Sequence, residues 1–306
     1  MNGPLLLAVA LCLDALLGEP RWLWNRVPHP AVLMGRVVDR LEQWLNRPPT
    51  ARIAGVAALL IMVAGAGFLG WALAKLGGLV ILCAAAILLA QRSLDDHVRA
   101  VGDGLRLSPE AGRSAVRLIV SRDVRDAPPA DVARASLESL AENFNDGVIA
   151  PAFWFLVGGL PGLLIYKMVN TADSMIGYRT PRYVKFGWAA ARFDDVLNWI
   201  PARLTALGLA AAGGGLHAWS AIRAEAALHR SPNAGWPEAA LARSLDIALA
   251  GPRSYHGERH DYPWVNGGGT RDLGPAEIDA GRRLVWKTWR AAVVALAVTG
   301  SLVWLL

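Results

Sequence analysis

Three short stretches of the chain carry carboxylates and amides at spacings suited to chemistry on charged substrates. In residues 135–147 (ASLESLAENFNDG), Glu138, Glu142 and Asp146 are four apart, with Asn143 and Asn145 beside them. On a continuous helix these acids share one face. In residues 166–178 (YKMVNTADSMIGY), Asn170, Asp173 and Gly177 fall at i, i+3 and i+7. Their side-chain oxygens suit a hard cation. In residues 191–203 (ARFDDVLNWIPAR), Asp194 and Asp195 are adjacent, Asn198 is four residues after Asp194, and Arg203 closes the stretch. Neighbouring carboxylates are more stable beside a metal or a strong base than alone. Between the last two stretches lie Arg179, Arg182 and Lys185, a set able to hold phosphate. Plainer readings stay open on spacing alone. They are a solvated helix face, a capped helix end with a basic segment beside a membrane, and Asp194 as the cap of the next helix.

The elements that position these residues are apolar. The chain of 306 residues is 54% hydrophobic and 18% charged, against roughly 45–50% and about 25% in soluble domains. That much apolar surface excludes disorder. Two cysteines, Cys12 and Cys83, exclude a disulfide scaffold and a thiolate zinc site. Apolar runs near 18 residues or longer read as membrane spans. Residues 53–74 form such a run without a charge, and 78–90 continue it after a short turn. Residues 291–306 form another, with Trp289 and Trp304 as interface anchors. Residues 4–17 carry Asp14 and lack the features of a cleaved leader, so a retained helix is expected. Residues 148–166 contain Pro151, Gly158, Gly159, Pro161 and Gly162, and residues 201–219 contain Gly213, Gly214 and Gly215. Both are expected to be kinked or re-entrant. The reading is an all-α, polytopic integral membrane protein. It is a helical bundle forming one domain over 1–306, with polar helical segments at 91–147, 167–200 and 220–287.

The net charge is +6. Segments 18–52, 91–147, 167–200 and 220–287 all carry several arginines or lysines, and loops bearing such residues favour the cytoplasmic side. That places 91–147 and 167–200 together and has 148–166 dip in and return. A single crossing with a basic outer loop stays open. His256 and His260 are four apart, but Gly257 argues against the helix a metal pair would need. His29, between two prolines, marks the entry to a helix over 31–45. No dinucleotide fingerprint, phosphate-binding loop, zinc-protease motif or nucleophile elbow occurs, and no internal repeat is found.

Two membrane enzyme families fail on their motifs. Asp146-Gly147 continues as Val-Ile-Ala-Pro rather than as a phosphatidyl-alcohol transferase start, and Asn145-Asp146 lacks the later aspartates of a prenyltransferase. The ordered set of segments instead resembles the adenosylcobinamide-phosphate synthase family of cobalamin biosynthesis (CbiB/CobD). The segments are 14–20 (DALLGEP), 29–35 (HPAVLMG), 41–46 (LEQWLN), and 136–143 (SLESLAEN) with Asp146-Gly147 and Ala150-Pro151. They continue through 170–178 (NTADSMIGY) and Phe186-Gly187, then Ala191-Arg192 to Asp194-Asp195, Asn198 and 201–203 (PAR). Last come 235–238 (GWPE) and Gly251-Pro252 with Tyr255 and Gly257. Each piece is weak alone; the ordered set spans nearly the whole chain.

The resemblance implies a multi-pass protein of a bacterial inner membrane. Its activity would be a ligase that joins aminopropanol, or its phosphate, to the propionate carboxyl of adenosylcobyric acid. ATP would activate the carboxylate and Mg²⁺ would neutralise charge in transit. Under that implication Glu142, Asp146, Asp173, Asp194 and Asp195 are the catalytic candidates, and Asp146, Asp173, Asp194 and Asp195 the metal candidates. Arg179, Arg182, Lys185 and Arg203 would hold phosphate. Asn143, Asn170, Ser174 and Asn198 would contact the substrates. The expected partners are the corrinoid, the amine, the bilayer and other proteins of the pathway, with no nucleic acid. A small transporter or a non-catalytic scaffold is the competing class.

Overall fold

A computed structural model describes residues 3–255 and 258–305. His256 lies outside them, and with it the histidine pair, as do Gly257 and the side chains of Tyr255 and Trp304. In chain order the helices are α1 (Gly3–Leu17), α2 (Arg21–Trp24), α3 (Pro30–Leu45), α4 (Ala51–Ala74) and α5 (Gly78–Leu88). Then come α6 (Gln91–Leu107), α7 (Pro109–Val116) and α8 (Pro129–Phe144). A π-helical turn (Asn145–Ile149) leads into α9 (Ala150–Ile176), followed by α10 (Trp188–Leu197) and α11 (Trp199–Gly213). A 3-10 turn (Gly215–Ala218) precedes α12 (Trp219–Ala226) and α13 (Gly235–Leu245). Four short strands, β1 (Leu249–Ala250), β2 (Arg253–Tyr255), β3 (Glu258–His260) and β4 (Trp264–Val265), come before α14 (Pro275–Leu305). The fold is therefore almost wholly helical. β1 pairs antiparallel with β4, Leu249 opposite Val265, and β2 pairs with β3.

The chain divides into two compact units. The first holds residues 1–90, 146–198 and 294–306; the second holds 91–145 and 199–293. In the first, α4 packs along α9 through a stripe of small residues. Gly55, Ala58, Ala66 and Gly70 are buried, while Ile53, Leu60, Ile61, Phe68 and Trp71 stand exposed on the same helix. Small residues inside and large apolar ones outside is the pattern of a helix that faces lipid. Among the described residues, three helices are long and apolar enough to cross a membrane: Ala51–Ala74, Gly78–Leu107 and Pro129–Ile176. Gly3–Leu17 is apolar but shorter. The expected run 201–219 is split among α11, the 3-10 turn and the start of α12, and 291–306 is the end of α14.

The break expected in 148–166 sits inside α9. Gly159 has φ 60° and ψ −151°, a region essentially restricted to glycine, and Pro161 follows. Gly162 packs its backbone against the Trp154 carbonyl. Residues that far apart in a straight helix would be about 12 Å apart along the axis. The chain therefore doubles back at this point. α3 starts as expected at His29, whose Nδ1 accepts the Ala31 N–H at 3.2 Å, with Pro30 at the first helical position.

The second unit is organised by buried ion pairs. Arg282 grips Asp95 with both ends of its fork, at 2.8 and 2.9 Å. Glu138 pairs with Arg122 and accepts the Ala250 N–H at 2.9 Å. Arg134 pairs with Asp131, donates to the carbonyls of Ala248 and Arg271, and stacks on Trp264. These contacts correct the expected acidic stripe. Glu138 faces this buried network, Glu142 is exposed, and Asp146 falls in the π-helical turn. The Asp146 carboxylate accepts instead from the Asn170 amide of α9.

Candidate functional site

The polar side chains of the first unit converge on α9 and α10. The doubled-back α9 presents Tyr166, Lys167, Asn170 and Asp173 along one side, and α10 packs beside it with Asp194, Asp195 and the capping Asn198. Tyr166 is fully buried, and its hydroxyl donates to Asn198 Oδ1 at 3.0 Å. The Asn198 amide donates to Asp194 Oδ2 at 3.0 Å. The Asn170 amide reaches Asp146 Oδ2 at 3.2 Å and Asp194 Oδ1 at 3.4 Å, bridging two carboxylates. One hydrogen-bonded chain thus runs Tyr166, Asn198, Asp194, Asn170, Asp146.

The charges concentrate in the same place. Asp194 lies within electrostatic reach of Asp146 and Asp173, and Asp173 within reach of Asp195. Burial pushes the Asp194 carboxyl well above the usual carboxylate range; the charges of Asp146 and Asp173 add to this, and the amides of Asn198 and Asn170 oppose it. Burial also raises Asp195, while Arg192, at 3.3 Å, and Arg179 oppose the rise. Lys167 supplies a positive charge within reach of Asp146 and of Glu19, in the loop after α1. Asp173 closes the C-terminal end of α9, whose cap is Gly177. A side chain at that position would overlap the Asp173 carboxylate and carbonyl. The Asn170–Asp173–Gly177 face expected from sequence is therefore present, with glycine there to make room.

Other expected residues have different settings. Ser174 is exposed on α9, and Arg179 and Lys185 are exposed in the 177–187 connection. Arg182 is committed. Its fork holds both oxygens of the buried Glu42 carboxylate at 2.9 and 2.8 Å, while Asn46 donates to Glu42 and to the Arg182 carbonyl. This guanidinium holds Glu42 below the ordinary glutamate range. Arg182 therefore clamps the connection to α3 and has little left for phosphate. Asp194 lies inside α10 and does not cap α11. Glu142, Asn143 and Arg203 belong to the second unit. There Asn143 is exposed and donates to the Ser139 carbonyl at 2.9 Å.

Lys167, Tyr166 and Glu19 were not among the residues singled out. Tyr166 and Lys167 stand at the junction of an apolar run and a basic segment, where they pass as an end residue and an anchor. Their spacing from Asn170, four and three residues, was the available signal.

The donor set is all oxygen, which fits Mg²⁺. Among the described residues no three acidic, histidine or cysteine side chains converge closely enough to hold an ion by themselves. Mg²⁺ is commonly held by one or two carboxylates, with water and substrate phosphate completing the shell. Asp146 and Asp194, bridged by Asn170, are the pair that fits this requirement.

Comparison with known proteins follows the same residues. Residues 7–285 match the family model described as CobD/Cbib protein. A relative from Sinorhizobium sp, named cobalamin biosynthesis protein CobD, is 48% identical over 90% of this chain and 92% of its own. Relatives of the same name from Brucella anthropi and Rhodobacter capsulatus are 45% and 41% identical over 99% of this chain and 98% of theirs. No solved structure matches the chain.

Proposed function

The chain belongs to the CobD/Cbib family and serves cobalamin biosynthesis, and from that footing we propose that it is the membrane-embedded ligase that closes an amide bond on the corrinoid. The substrates are adenosylcobyric acid and aminopropanol or its phosphate, and the product is adenosylcobinamide or its phosphate. The setting is a bacterial inner membrane crossed several times, with α9 carrying part of the site into it. The observation that supports this reading best is the cluster on α9 and α10, which draws Asp146, Asp173, Asp194 and Asp195 together under two amides and one lysine.

A carboxylate at neutral pH is a poor acyl donor, and an aminopropanol amine is protonated. In the proposed reaction ATP converts the propionate carboxylate into an acyl phosphate and ADP; Mg²⁺, held by Asp146 and Asp194, would neutralise the phosphoryl charge. The amine then forms the C–N bond as inorganic phosphate leaves. The aspartates attract the incoming ammonium and take its proton. Asp195 suits that task, because it lies outside the Asp146–Asp194 pair and burial raises its proton affinity above that of an ordinary carboxylate. Asn170 and Asn198 hold Asp194 in one orientation. Lys167, beside Asp146, is placed to balance negative charge as phosphoryl oxygens approach. Arg179 and Lys185, exposed at the rim, are the remaining phosphate contacts of this unit.

Hydroxylamine tests the activation step. Purified protein with ATP, Mg²⁺ and adenosylcobyric acid, but no amine, should yield the corrinoid hydroxamate together with ADP. ADP formation that is indifferent to the corrinoid, with no hydroxamate, would overturn the ATP route.

A further inference from the structure

In the second unit, arginines that are not fully exposed are matched with carboxylates: Arg113 with Glu110, Arg122 with Glu138, Arg134 with Asp131, Arg243 with Glu225 and Arg282 with Asp95. Arg203 is half-buried too, and among the described residues no carboxylate pairs with it. Its guanidinium lies between two indoles, 4.4 Å from the centroid of Trp199 and 4.7 Å from that of Trp236. Trp236 is itself braced by Trp219, with ring centroids 5.6 Å apart. Nη1 donates to the Trp199 carbonyl at 2.6 Å and to Asn233 Oδ1 at 3.3 Å. Among the described residues Nε and Nη2 have no hydrogen-bond partner. They form the edge of the guanidinium that takes two oxygens of one oxyanion.

The surroundings say which oxyanion. On α11, Trp199, Ile200, Leu204 and Leu207 are all exposed, between 44% and 55%. With a period of 3.6 residues they share the side of the helix that carries Arg203. A fixed cation beside tryptophans, at the end of an exposed apolar helix face, has the composition of a membrane–water interface at headgroup level. A guanidinium there without a carboxylate lacks its counter-charge. We propose that the Trp199–Arg203–Trp236 clamp binds a phosphate oxyanion, supplied by the headgroup of an anionic bilayer phospholipid. The site is independent of the amide-forming reaction and needs only that α11 meet the bilayer surface.

The test is native mass spectrometry of the full chain released from nanodiscs of phosphatidylglycerol and phosphatidylcholine. Wild type should retain phosphatidylglycerol preferentially. Arg203→Gln should retain about tenfold less, and Arg203→Lys, which keeps the charge but not the fork, should fall between. Arg283→Gln, at an exposed position of the same unit, should match wild type. Equal retention by wild type and Arg203→Gln overturns the site. Displacement of the retained lipid from wild type by millimolar inorganic phosphate or a soluble phosphate monoester, at constant ionic strength, overturns the lipid as its source. If Arg203→Gln does not fold, titrating detergent-solubilised wild type with short-chain phosphatidylglycerol and phosphatidylcholine decides. Saturable binding of the first alone supports the proposal, and equal binding of both overturns it.

Discussion

At the residue scale, the structure separates charges that look equivalent in sequence. Arg179, Arg182 and Lys185 read as one basic set, yet Arg182 is spent on Glu42. Arg182→Ala should therefore lower thermal stability and leave the KM for a phosphorylated amine unchanged, whereas Arg179→Ala should raise that KM. The clamp also has a pH signature. Glu42 is held below its ordinary value of 4.5, so its ionised form stabilises the fold above that pH, and the benefit fades as pH falls through the folded-state value. Thermal melts of wild type and Glu42→Gln should differ at pH 7 and converge as pH falls below 4.5 through the folded-state value. Asp173→Asn and Asp195→Asn should each lower turnover by about 100-fold or more while leaving the fold intact. Near-normal activity in both would remove them from the site. The aspartates were legible because their type and spacing betray them. Lys167 was not, because a lysine after an apolar run has an ordinary explanation as an anchor, and only the doubling-back of α9 beside α10 turns it toward the acids.

At the element scale, α9 does the positioning. Its glycines and proline announced a break, and the break is where the sequence placed it. What spacing could not show was that Asp146 falls in the π-helical turn and meets the Asn170 amide, or that Glu138 is consumed by Arg122. Gly159→Ala should cost about 1–3 kcal/mol, because a Cβ is strained at that backbone conformation. Circular dichroism melts of the detergent-solubilised variant would show it. Loss of activity without loss of stability would mean that Gly159 serves the chemistry rather than the fold-back. The boundaries of α1, α4 and α5 followed directly from apolar runs. Those of α11 and α12 did not, since three consecutive glycines end one helix and begin a 3-10 turn inside what reads as one run.

At the scale of the whole molecule, the unusual composition resolves into two tasks. Large apolar side chains stand on the outside of α4 while small ones pack its inner face, and the charged residues gather into an acidic cluster in one unit and an ion-paired network in the other. Helical content and long apolar helices could be read from residue order, because they depend on local runs. The division into two interleaved units could not, because each is assembled from distant stretches of chain. The arginines and lysines of segments 91–147 and 167–200 predict a shared cytoplasmic side, so single cysteines in both should resist an impermeant reagent added to intact cells. Labelling of either from outside would contradict that topology. The central claim, that this protein forms an amide bond, is tested most directly by incubating the purified full chain with adenosylcobyric acid, aminopropanol phosphate, ATP and Mg²⁺ and analysing the corrinoids by mass spectrometry. The account predicts the condensed adenosylcobinamide phosphate, with the mass of one water lost between acid and amine and one ADP formed per product. With substrates intact, unmodified corrinoid after incubation of folded protein, in nanodiscs as well as in detergent and with either the free amine or its phosphate, would contradict it.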